Sequence, residues 1–364
     1  MIRITIDLRM YRHSGIGRYL RNLIPTILPL LQADVIRVLG TRTLFADDPW
    51  LRDPRVEIFK TDAPIYSVAE QLLPFRGAFR DSSLLWVPHF NAPLFYRGTL
   101  ALTIHDIAPV ALPEILSNNI KRAYARLLIE RSTARASAIL CDSDFTAAEL
   151  HRYVSTPTDK MTVVHLGLDP SWPTNAQPHR EPDNVPYFLY VGNIKPNKNL
   201  ILLLKALDRV KNRLPHRVVL AGRMRGFSSN DEPVLRHAQS MGDRVRFTDE
   251  ISDTELISLY AGAAALVLPS LYEGFGLPLL EAMQLGCPCI SSNAASLPEI
   301  GGDAALYFDP HSVESLVECL LTVTDEPFMQ SLRIGGQARA THFTYAQCAE
   351  KSAAILNPLL TGPK

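Results

Sequence analysis

A short apolar run followed by a glycine-containing turn constrains the fold of this chain more than any other segment. The run Ala264–Leu268 has the length of a buried parallel strand. Gly274 and Gly276 follow in the turn, Pro278 suits the first position of a helix, and Gly286 suits the end of that helix. The pattern predicts a strand–loop–helix unit. Its helix N-terminus, with free N–H groups and partial positive charge, points at whatever lies over the strand ends.

Two carboxylates flank this turn, Glu273 before the helix and Glu281 within it. The N–H groups of a helix start favour a phosphate, and glycine lets the backbone approach that phosphate closely. A carboxylate beside a phosphate is electrostatically unfavourable unless it accepts hydrogen bonds from hydroxyl groups. The turn therefore indicates a ligand that carries both phosphate and sugar hydroxyls.

The segment SLYEGFGLPLLEAMQLGCPCISS, which begins at Ser270, resembles the E-x7-E signature of glycosyltransferase family 4. The tail SLPEIGGDAALYFDP, from Ser296, agrees with the same family. These are retaining enzymes that use nucleotide-sugar donors. The resemblance implies an α/β protein of the GT-B fold, with two Rossmann-like doubly wound domains facing across a donor-binding cleft. The alternative is an ordinary strand–loop–helix turn of some other α/β protein.

The same resemblance assigns roles within the signature. It implies that Glu273 is catalytic and contacts the transferred sugar, and that Glu281 binds the ribose hydroxyls of the donor. The other donor-binding residues that it implies here are Gly274, Phe275, Gly276 and Leu277.

The length of the chain and its pattern of strands and helices predict two domains. At 364 residues the chain exceeds what one hydrophobic core usually serves. Five prolines fall within residues 170–186, and a new apolar strand follows at once. We therefore expect an N-terminal acceptor domain at 1–169, a linker at 170–186 and a nucleotide-sugar domain at 187–344. A last helix is predicted from about Tyr345 to Leu356, within 345–364, and the resemblance implies that it crosses back to the N-terminal domain.

Alternating strands and helices predict a parallel sheet in each half. The strands predicted for the first half are Ile2–Asp7, Val35–Leu39, Val56–Phe59, Leu84–Val87, Leu100–Ile104, Ala138–Cys141 and Thr162–His165. The strands predicted for the second half, before the signature, are Tyr187–Val191, Arg217–Ala221 and Val245–Phe247. The predicted helices include Gly17–Leu31, Asn118–Ala136, Asp144–Tyr153 and Asp253–Ala261, with Ser143 and Asp253 as caps.

Two further segments of the first half are candidates for the site. Gly15 and Gly17 open a helix directly after the first strand, a place where doubly wound domains bind ligands. As a phosphate loop the segment is incomplete, because it lacks the full GxGxxG, and a tight turn is the alternative. His105 and Asp106 follow another strand, and the resemblance implies that His105 contacts the donor sugar. For Asp106 the alternative is loop hydrogen bonding.

The segment VGNIKPNKNL, residues 191–200, resembles the family segment whose arginine and lysine neutralise the donor diphosphate. By resemblance Lys198 matches the family lysine and is predicted to be catalytic, as are Glu273 and His105. Gly192 and Asn193 belong by resemblance to the donor site. Relatives often carry arginine where this chain has Asn193, so the second cation must come from elsewhere. Arg223, after the next strand, is the candidate for it.

A further segment, RFTDEISDTEL, resembles the family segment that meets the nucleobase. Glu250 and Ile251 are the donor-binding residues that this resemblance implies.

Composition limits the binding partners and the cellular compartment expected for this protein. Lys+Arg and Asp+Glu balance at 37 each, so the net charge gives no indication of nucleic-acid binding. The N-terminus lacks signal-peptide anatomy, and five cysteines without CxxC spacing indicate buried thiols of a cytoplasmic protein. Arg76 and Arg80 could contact the cytoplasmic face of the inner membrane, or equally form a solvated helix face. We expect no cofactor and no metal, because no convincing DxD loop is present.

The function that the resemblance implies is transfer of a hexose to a glycan or to a polyprenyl-diphosphate-linked saccharide. The motifs look like those of bacterial mannosyltransferases that build O-antigen and exopolysaccharide chains, which favours GDP-mannose as donor. A UDP-sugar donor and a nucleotide-sugar epimerase on the same fold remain alternatives. An NAD-dependent oxidoreductase would need GxGxxG with an acid about 20 residues later, which neither half supplies. A non-catalytic scaffold is the last alternative.

Overall fold

The computed structural model describes two compact units of the chain. Unit 1 comprises Met1–Asp169 and the segment from Thr344 onward, and unit 2 comprises Pro170–Phe343. The described residues are 1–13, 15–45, 48–73, 77–112, 119–173, 176–181, 183–222, 232–249 and 251–362.

Unit 1 is built on a parallel sheet whose described strands run in the order β3-β2-β1-β4-β5-β6-β7. The strands are β1 (Arg3–Asp7), β2 (Val35–Gly40), β3 (Val56–Lys60), β4 (Leu84–Val87), β5 (Leu100–Ile104), β6 (Ala138–Cys141) and β7 (Met161–Val163). The sequence-based predictions of these strands are confirmed to within two residues at each end. Every residue of β4 and β5 is buried, as expected for central strands of a parallel sheet covered on both faces.

The helices of unit 1 follow the predicted alternation with strands. They are α1 (Gly15–Ile27), α2 (Arg42–Phe45), α3 (Val68–Gln71), α4 (Ala108–Ala111), α5 (Asn119–Arg135), α6 (Asp144–Val154) and the C-terminal helix, α14 (Tyr345–Thr361). Helix α1 ends before the predicted Leu31 and tightens into a 3-10 turn over Leu28–Leu30. Pro29 explains this end, because it has no N–H to donate to the preceding turn. The predicted cap of α6 is confirmed, since the Ser143 hydroxyl accepts from the Thr146 N–H at 3.0 Å.

Helix α14 packs within unit 1. The Asn357 side chain donates to the Leu30 carbonyl and accepts from the Gln32 N–H, both at 2.9 Å. At the start of the helix the backbone is so close to Gly167 that a Cβ there would lie 2.1 Å from the Tyr345 nitrogen. The helix runs past the predicted Leu356 because Leu360 is buried in the same unit.

Unit 2 has a second parallel sheet, with its described strands in the order β10-β9-β8-β11-β12-β13. They are β8 (Tyr187–Val191), β9 (Arg217–Ala221), β10 (Val245–Phe247), β11 (Ala265–Leu268), β12 (Cys289–Ser292) and β13 (Leu306–Phe308). After β8, the chain adds β9 and β10 on one side of that strand and then adds β11, β12 and β13 on its other side. The strand order therefore reverses between β8 and β11, and ligands of doubly wound sheets bind at such a point.

The helices of unit 2 cover both faces of its sheet. They are α7 (Leu200–Arg209), α8 (Glu232–Ser240), α9 (Asp253–Gly262), α10 (Leu277–Gln284), α11 (Leu297–Gly301), α12 (Val313–Leu321) and α13 (Glu326–Ala340). The predicted cap of α9 is wrong, because Ser252 rather than Asp253 occupies that position. Ser252 and Glu255 form a reciprocal capping box, in which each side chain accepts from the backbone N–H of the other.

The proline-rich segment packs on unit 2. Glu181 is buried. Its Oε2 accepts a hydrogen bond from Arg217 at 2.9 Å, and its Oε1 forms an ion pair with Arg246, also at 2.9 Å. The Trp172 ring lies beside the Tyr260 ring, with centroids 6.2 Å apart. These contacts hold the described part of the segment against the body of unit 2.

Two further expectations concern cysteines and membranes. Cys141, Cys287, Cys289, Cys319 and Cys348 are all free and buried, which confirms the sequence-based prediction. In the described part of the chain, no helix is both long enough and apolar enough to span a membrane.

Candidate functional site

The reversal point of the unit 2 sheet brings together two of the three residues predicted to be catalytic. Lys198 lies in the turn after β8, and Glu273 lies in the loop after β11. The Lys198 ammonium donates to Glu273 Oε1 at 2.6 Å. Both side chains are partly exposed, at 21% and 12%. The pair therefore forms a charged, accessible contact where the carboxyl ends of two neighbouring strands meet.

Polar side chains that the sequence analysis did not single out fix the loop carrying Glu273. The Ser270 hydroxyl donates to Glu273 Oε1 at 2.7 Å, and Ser296 donates to the Glu273 carbonyl at 2.9 Å. Asn197 joins this loop to the turn of Lys198, because its amide donates to the Tyr272 carbonyl at 3.1 Å. The carboxylate is therefore held in one place by a lysine and a buried serine. Both serines lie inside the signature segments, but serine at such positions gives no signal of its own in a single sequence.

The loop ends at the start of α10, as predicted. Gly276 has φ +101°, and a Cβ there would lie 2.7 Å from Leu297 Cδ2, so both backbone and space require glycine. Leu277 is the first helical residue, and Gly286 follows the helix with φ +67°. Glycine has no side chain to cap the helix, Pro278 has no N–H, and the Leu279 N–H donates to the Gly276 carbonyl at 2.9 Å. The first turn therefore offers an anion the Leu277 N–H and the partial positive charge of the helix start.

Gly274 and Phe275 are both buried within the loop. The Phe275 ring is 4% exposed and packs edge-on against Phe343, with centroids 6.0 Å apart. The Phe275 side chain thus anchors the loop, which leaves its backbone as the part that could meet a ligand.

Glu281 lies on the face of α10 that meets α9. It is 5% exposed, and its Oε2 accepts from the Tyr260 hydroxyl at 2.9 Å. Tyr260 is fully buried in α9. One oxygen of this carboxylate is therefore oriented by a neighbouring helix, which the sequence did not indicate.

The ends of β8 and β9 approach each other closely. A Cβ at Gly222 would lie 2.3 Å from the Gly192 carbonyl oxygen, so Gly222 is required for close packing. A Cβ at Gly192 would have room, because its nearest neighbour would be the Tyr190 hydroxyl at 3.5 Å. That hydroxyl donates to the Asn193 carbonyl at 3.0 Å. These residues lie at the same carboxyl edge as Lys198.

Two candidates cannot be placed. Arg223 and Glu250 lie outside the described residues. Ile251, beside Glu250, is half-buried and follows β10 at the carboxyl edge of the sheet, where Thr248 donates to the Leu220 carbonyl at 3.4 Å. Arg76, from the membrane hypothesis, also lies outside the described residues, whereas Arg80 is exposed.

In unit 1 the two candidate glycines differ from each other. A Cβ at Gly17 would lie 2.6 Å from the Tyr11 carbonyl oxygen, whereas nothing lies within 4 Å of a Cβ at Gly15. Gly17 therefore has a packing role at the start of α1. Gly15 is exposed at the carboxyl edge of the unit 1 sheet.

His105 is held on both sides by its own unit. Its Nδ1 lies 2.7 Å from Asp142 Oδ2, and its Nε2 lies 3.1 Å from the Pro88 carbonyl. A carbonyl oxygen can only accept, so Nε2 carries a proton. Burial is the largest single influence and lowers the pKa of His105, but Asp142, Asp106 and the Pro88 carbonyl together outweigh burial and raise the pKa above its ordinary value of 6.5. The sequence analysis did not single out Asp142 and missed this partnership.

Asp106 contributes a local hydrogen bond. Its Oδ1 accepts from the Ala108 N–H at 2.9 Å, which matches the loop alternative weighed for it.

The family models and the relatives that match this chain are all glycosyltransferases. Residues 173–340 match the family model Glycosyl transferases group 1, and residues 13–172 match the model Glycosyltransferase Family 4. The chain is similar to "O-antigen chain mannosyltransferase B" of Escherichia coli, with 30% identity over 94% of this chain and 95% of that protein. It is also similar to "O-antigen chain mannosyltransferase RfbU" of Salmonella typhimurium, with 29% identity over 68% of this chain and 67% of that protein.

Solved structures show the same fold. A sucrose-phosphate synthase from Thermosynechococcus elongatus superposes with a TM-score of 0.77 at 19% identity, over 99% of each chain. The Anabaena protein HepE, in complex with UDP-glucose, gives a TM-score of 0.74 at 17% identity, over 98% of this chain and 99% of that one.

The state of His105 leads to a prediction about stability. The pKa of His105 is higher in the folded than in the unfolded protein, so its imidazolium form stabilises the fold below pH 6.5. That contribution is lost as the pH rises through the folded-state pKa. We expect His105→Gln to lower the free energy of unfolding, measured with urea, by more at about pH 6 than at about pH 9. An equal loss at both values would show that His105 is not protonated in the folded protein.

Proposed function

Because the chain belongs to glycosyltransferase family 4 and has the GT-B fold, we propose that it transfers mannose from GDP-mannose with retention of configuration. The acceptor is a glycan or a lipid-linked saccharide of cell-surface polysaccharide synthesis, and the transfer takes place in the cytoplasm. One observation carries the proposal: Lys198 and Glu273 are in contact at the reversal point of the unit 2 sheet. The printed names of the two O-antigen relatives support the choice of mannose.

The Lys198–Glu273 pair suits a nucleotide sugar because it offers both signs of charge to one ligand. An ammonium group has three N–H donors, so Lys198 can hold a diphosphate oxygen while it keeps its bond to Glu273. The helix start at Leu277 adds the N–H of that residue and a partial positive charge on the same edge. These groups would stabilise the charge that develops on the departing diphosphate.

Glu273 would act on the sugar. Its carboxylate is fixed by Ser270 and Lys198, so it is oriented before the ligand binds. A carboxylate in a fixed position helps most when positive charge develops on the sugar ring in the transition state. The proton of the acceptor hydroxyl would pass to the leaving phosphate, so no protein base is invoked.

In this proposal the remaining donor contacts follow the family resemblance. Glu281 would hold the ribose, Gly192, Asn193, Gly274 and the backbone of Phe275 to Leu277 would line the donor, and Ile251 would meet the base. Arg223 and Glu250 are proposed on sequence alone, as are His105, Gly15 and Gly17 for contact with the donor. Contact with the inner membrane is also proposed, with the exposed Arg80 as its described member.

The choice of donor is tested by thermal unfolding with nucleotides. A ligand at about a hundred times its Kd stabilises the native state by about 2.7 kcal/mol. For a protein of this size we expect GDP and GDP-mannose to raise Tm by roughly 2–4 °C or somewhat less. UDP and UDP-glucose at the same concentrations should leave Tm unchanged. The reverse order would assign the protein to UDP-sugars, and product analysis by mass spectrometry with lipid-linked acceptors would then identify the transfer.

Glu273→Ala should separate catalysis from nucleotide binding. We expect kcat to fall by about 100-fold or more, because the lost interaction belongs to the transition state. GDP should bind at least as tightly as before, since removing the carboxylate leaves the Lys198 ammonium without its partner. Ser270→Ala is the matched control, because it removes only one hydrogen bond to the same oxygen and should cost far less. Loss of GDP affinity in Glu273→Ala would mean that the roles of the two glutamates are assigned wrongly.

Glu281→Gln should weaken donor binding by about 1.5–3 kcal/mol, because hydrogen bonds to a charged group are lost. Calorimetry with GDP measures this change. Tyr260→Phe is the control, since it removes the hydroxyl that binds Glu281 without touching the carboxylate. We expect that variant to lose stability but to keep most of its affinity for GDP. Unchanged affinity in Glu281→Gln would remove Glu281 from the donor site.

A further inference from the structure

A buried chain of polar groups lies beneath the carboxyl edge of the unit 1 sheet. Arg9 binds Asp7, at the end of β1, through two hydrogen bonds of 2.9 and 2.5 Å. The same guanidinium donates to Glu70 Oε1 at 2.8 Å, and the Asn91 amide donates to that oxygen at 2.5 Å. All four side chains are at most 8% exposed. The function proposed above uses none of them.

The direction of the hydrogen bonds in this chain fixes the tautomer of His89. Glu70 can only accept from Asn91, so the Asn91 amide nitrogen faces Glu70 and its oxygen faces His89. That oxygen lies 2.7 Å from His89 Nδ1 and can only accept, so Nδ1 carries the proton. The lone pair of His89 is therefore on Nε2.

His89 Nε2 is the end of this chain of hydrogen bonds. His89 is half-buried, and in the part of the chain that the structure describes only the Tyr66 hydroxyl comes within hydrogen-bond reach of Nε2. This hydroxyl is 3.2 Å from Nε2 and 3.4 Å from Nδ1, which places it over the imidazole face and not in the ring plane. The in-plane lone pair of Nε2 is therefore available to a ligand.

Tyr66 is held in an unusual conformation beside this nitrogen. Its φ is +63°, a left-handed value that tyrosine rarely adopts, and its backbone N–H donates to Glu70 Oε2 at 2.7 Å. The side chain is 44% exposed. The same buried carboxylate thus orients both an exposed aromatic ring and, through Asn91, the lone pair of His89.

His89 is suited to accept a hydrogen bond and not to take up a proton. Burial lowers its pKa to about 3, helped by His105 and His13, while Asn91 and Asp7 oppose this. It therefore stays neutral around pH 7. A neutral acceptor beside an exposed aromatic ring is a combination that suits a sugar, which has hydroxyl donors and an apolar C–H face.

We propose that His89 Nε2 accepts a hydrogen bond from a hydroxyl of the acceptor saccharide and that the Tyr66 ring packs against the same sugar. Glu70 and Asn91 are positioning residues: together they set the tautomer of His89, and Glu70 also holds the backbone turn at Tyr66. This inference rests on the proposed glycosyl transfer for the identity of its ligand. The N-terminal domain was expected to bind the acceptor, and this inference assigns two particular residues, His89 and Tyr66, to that contact, which no sequence motif indicates.

The tautomer is tested first, without any assumption about activity. In the 15N-labelled protein, NMR should show His89 neutral with the proton on Nδ1 throughout about pH 5 to 8. Octyl α-mannopyranoside, as the probe, should shift the Nε2 resonance in the wild type. A proton on Nε2, or an Nε2 resonance that the probe does not change, would overturn the proposal even if the donor has been identified correctly.

Kinetics with octyl α-mannopyranoside as acceptor then test the contact. His89→Phe should raise the KM for the acceptor by about 3- to 10-fold, the effect of one lost neutral hydrogen bond. His89→Gln, whose amide oxygen can accept in place of Nε2, should recover part of that loss. Tyr66→Ala should raise the same KM, whereas Phe95→Ala, at another exposed aromatic residue of unit 1, should not.

The Tm shift with GDP separates this inference from the proposed function. It should be the same in the wild type, His89→Phe and Tyr66→Ala, because the donor residues are untouched. An unchanged acceptor KM in both variants would overturn the acceptor subsite and leave the donor site in place. A wild type without any transfer would instead contradict the proposed function, while the NMR measurement would still decide the role of His89.

Discussion

The reversal of strand order between β8 and β11 determines where unit 2 can carry chemistry. Two neighbouring parallel strands end at the same edge, and their following chains leave in opposite directions. Lys198 follows one of these strands and Glu273 follows the other, and the Lys198 Nζ lies 2.6 Å from Glu273 Oε1. Asn197 and Ser296 then tie the loops together, so the geometry of the pair follows from the topology of the sheet.

The fold was predictable because its signals are local. Apolar runs between turn residues predicted β1 to β11 within two residues, and the glycine and proline positions predicted both ends of α10 within two residues. The last two strands of unit 2, β12 and β13, were not predicted. The errors arise where a neighbouring residue competes for the same role. Ser252 caps α9 in place of Asp253, since a serine with glutamate three residues later satisfies two backbone groups at once. Helix α14 continues past its predicted end because Leu360 has a buried surface to cover.

The site was predictable only as far as motifs extend. Glu273 and Lys198 carry the family spacing, and their contact agrees with it. Tyr260 and Asp142 were missed because each acts on a residue that is remote in sequence, and only tertiary structure shows the pairing. The prolines of 170–186 similarly indicated a linker, whereas Glu181 binds two arginines of the following domain.

Buried charge in the two units is used in different ways. In unit 2 the charged pair remains partly exposed, so its groups can exchange partners with a ligand. In unit 1 the charges of Arg9 and Glu70 are buried and mutually satisfied, and a buried group of this kind is costly to disturb. Such a network is better suited to holding neighbours in one geometry than to binding substrate itself. The groups that it orients, His89 and Tyr66, are neutral and accessible, which is what recognition of an uncharged sugar hydroxyl requires.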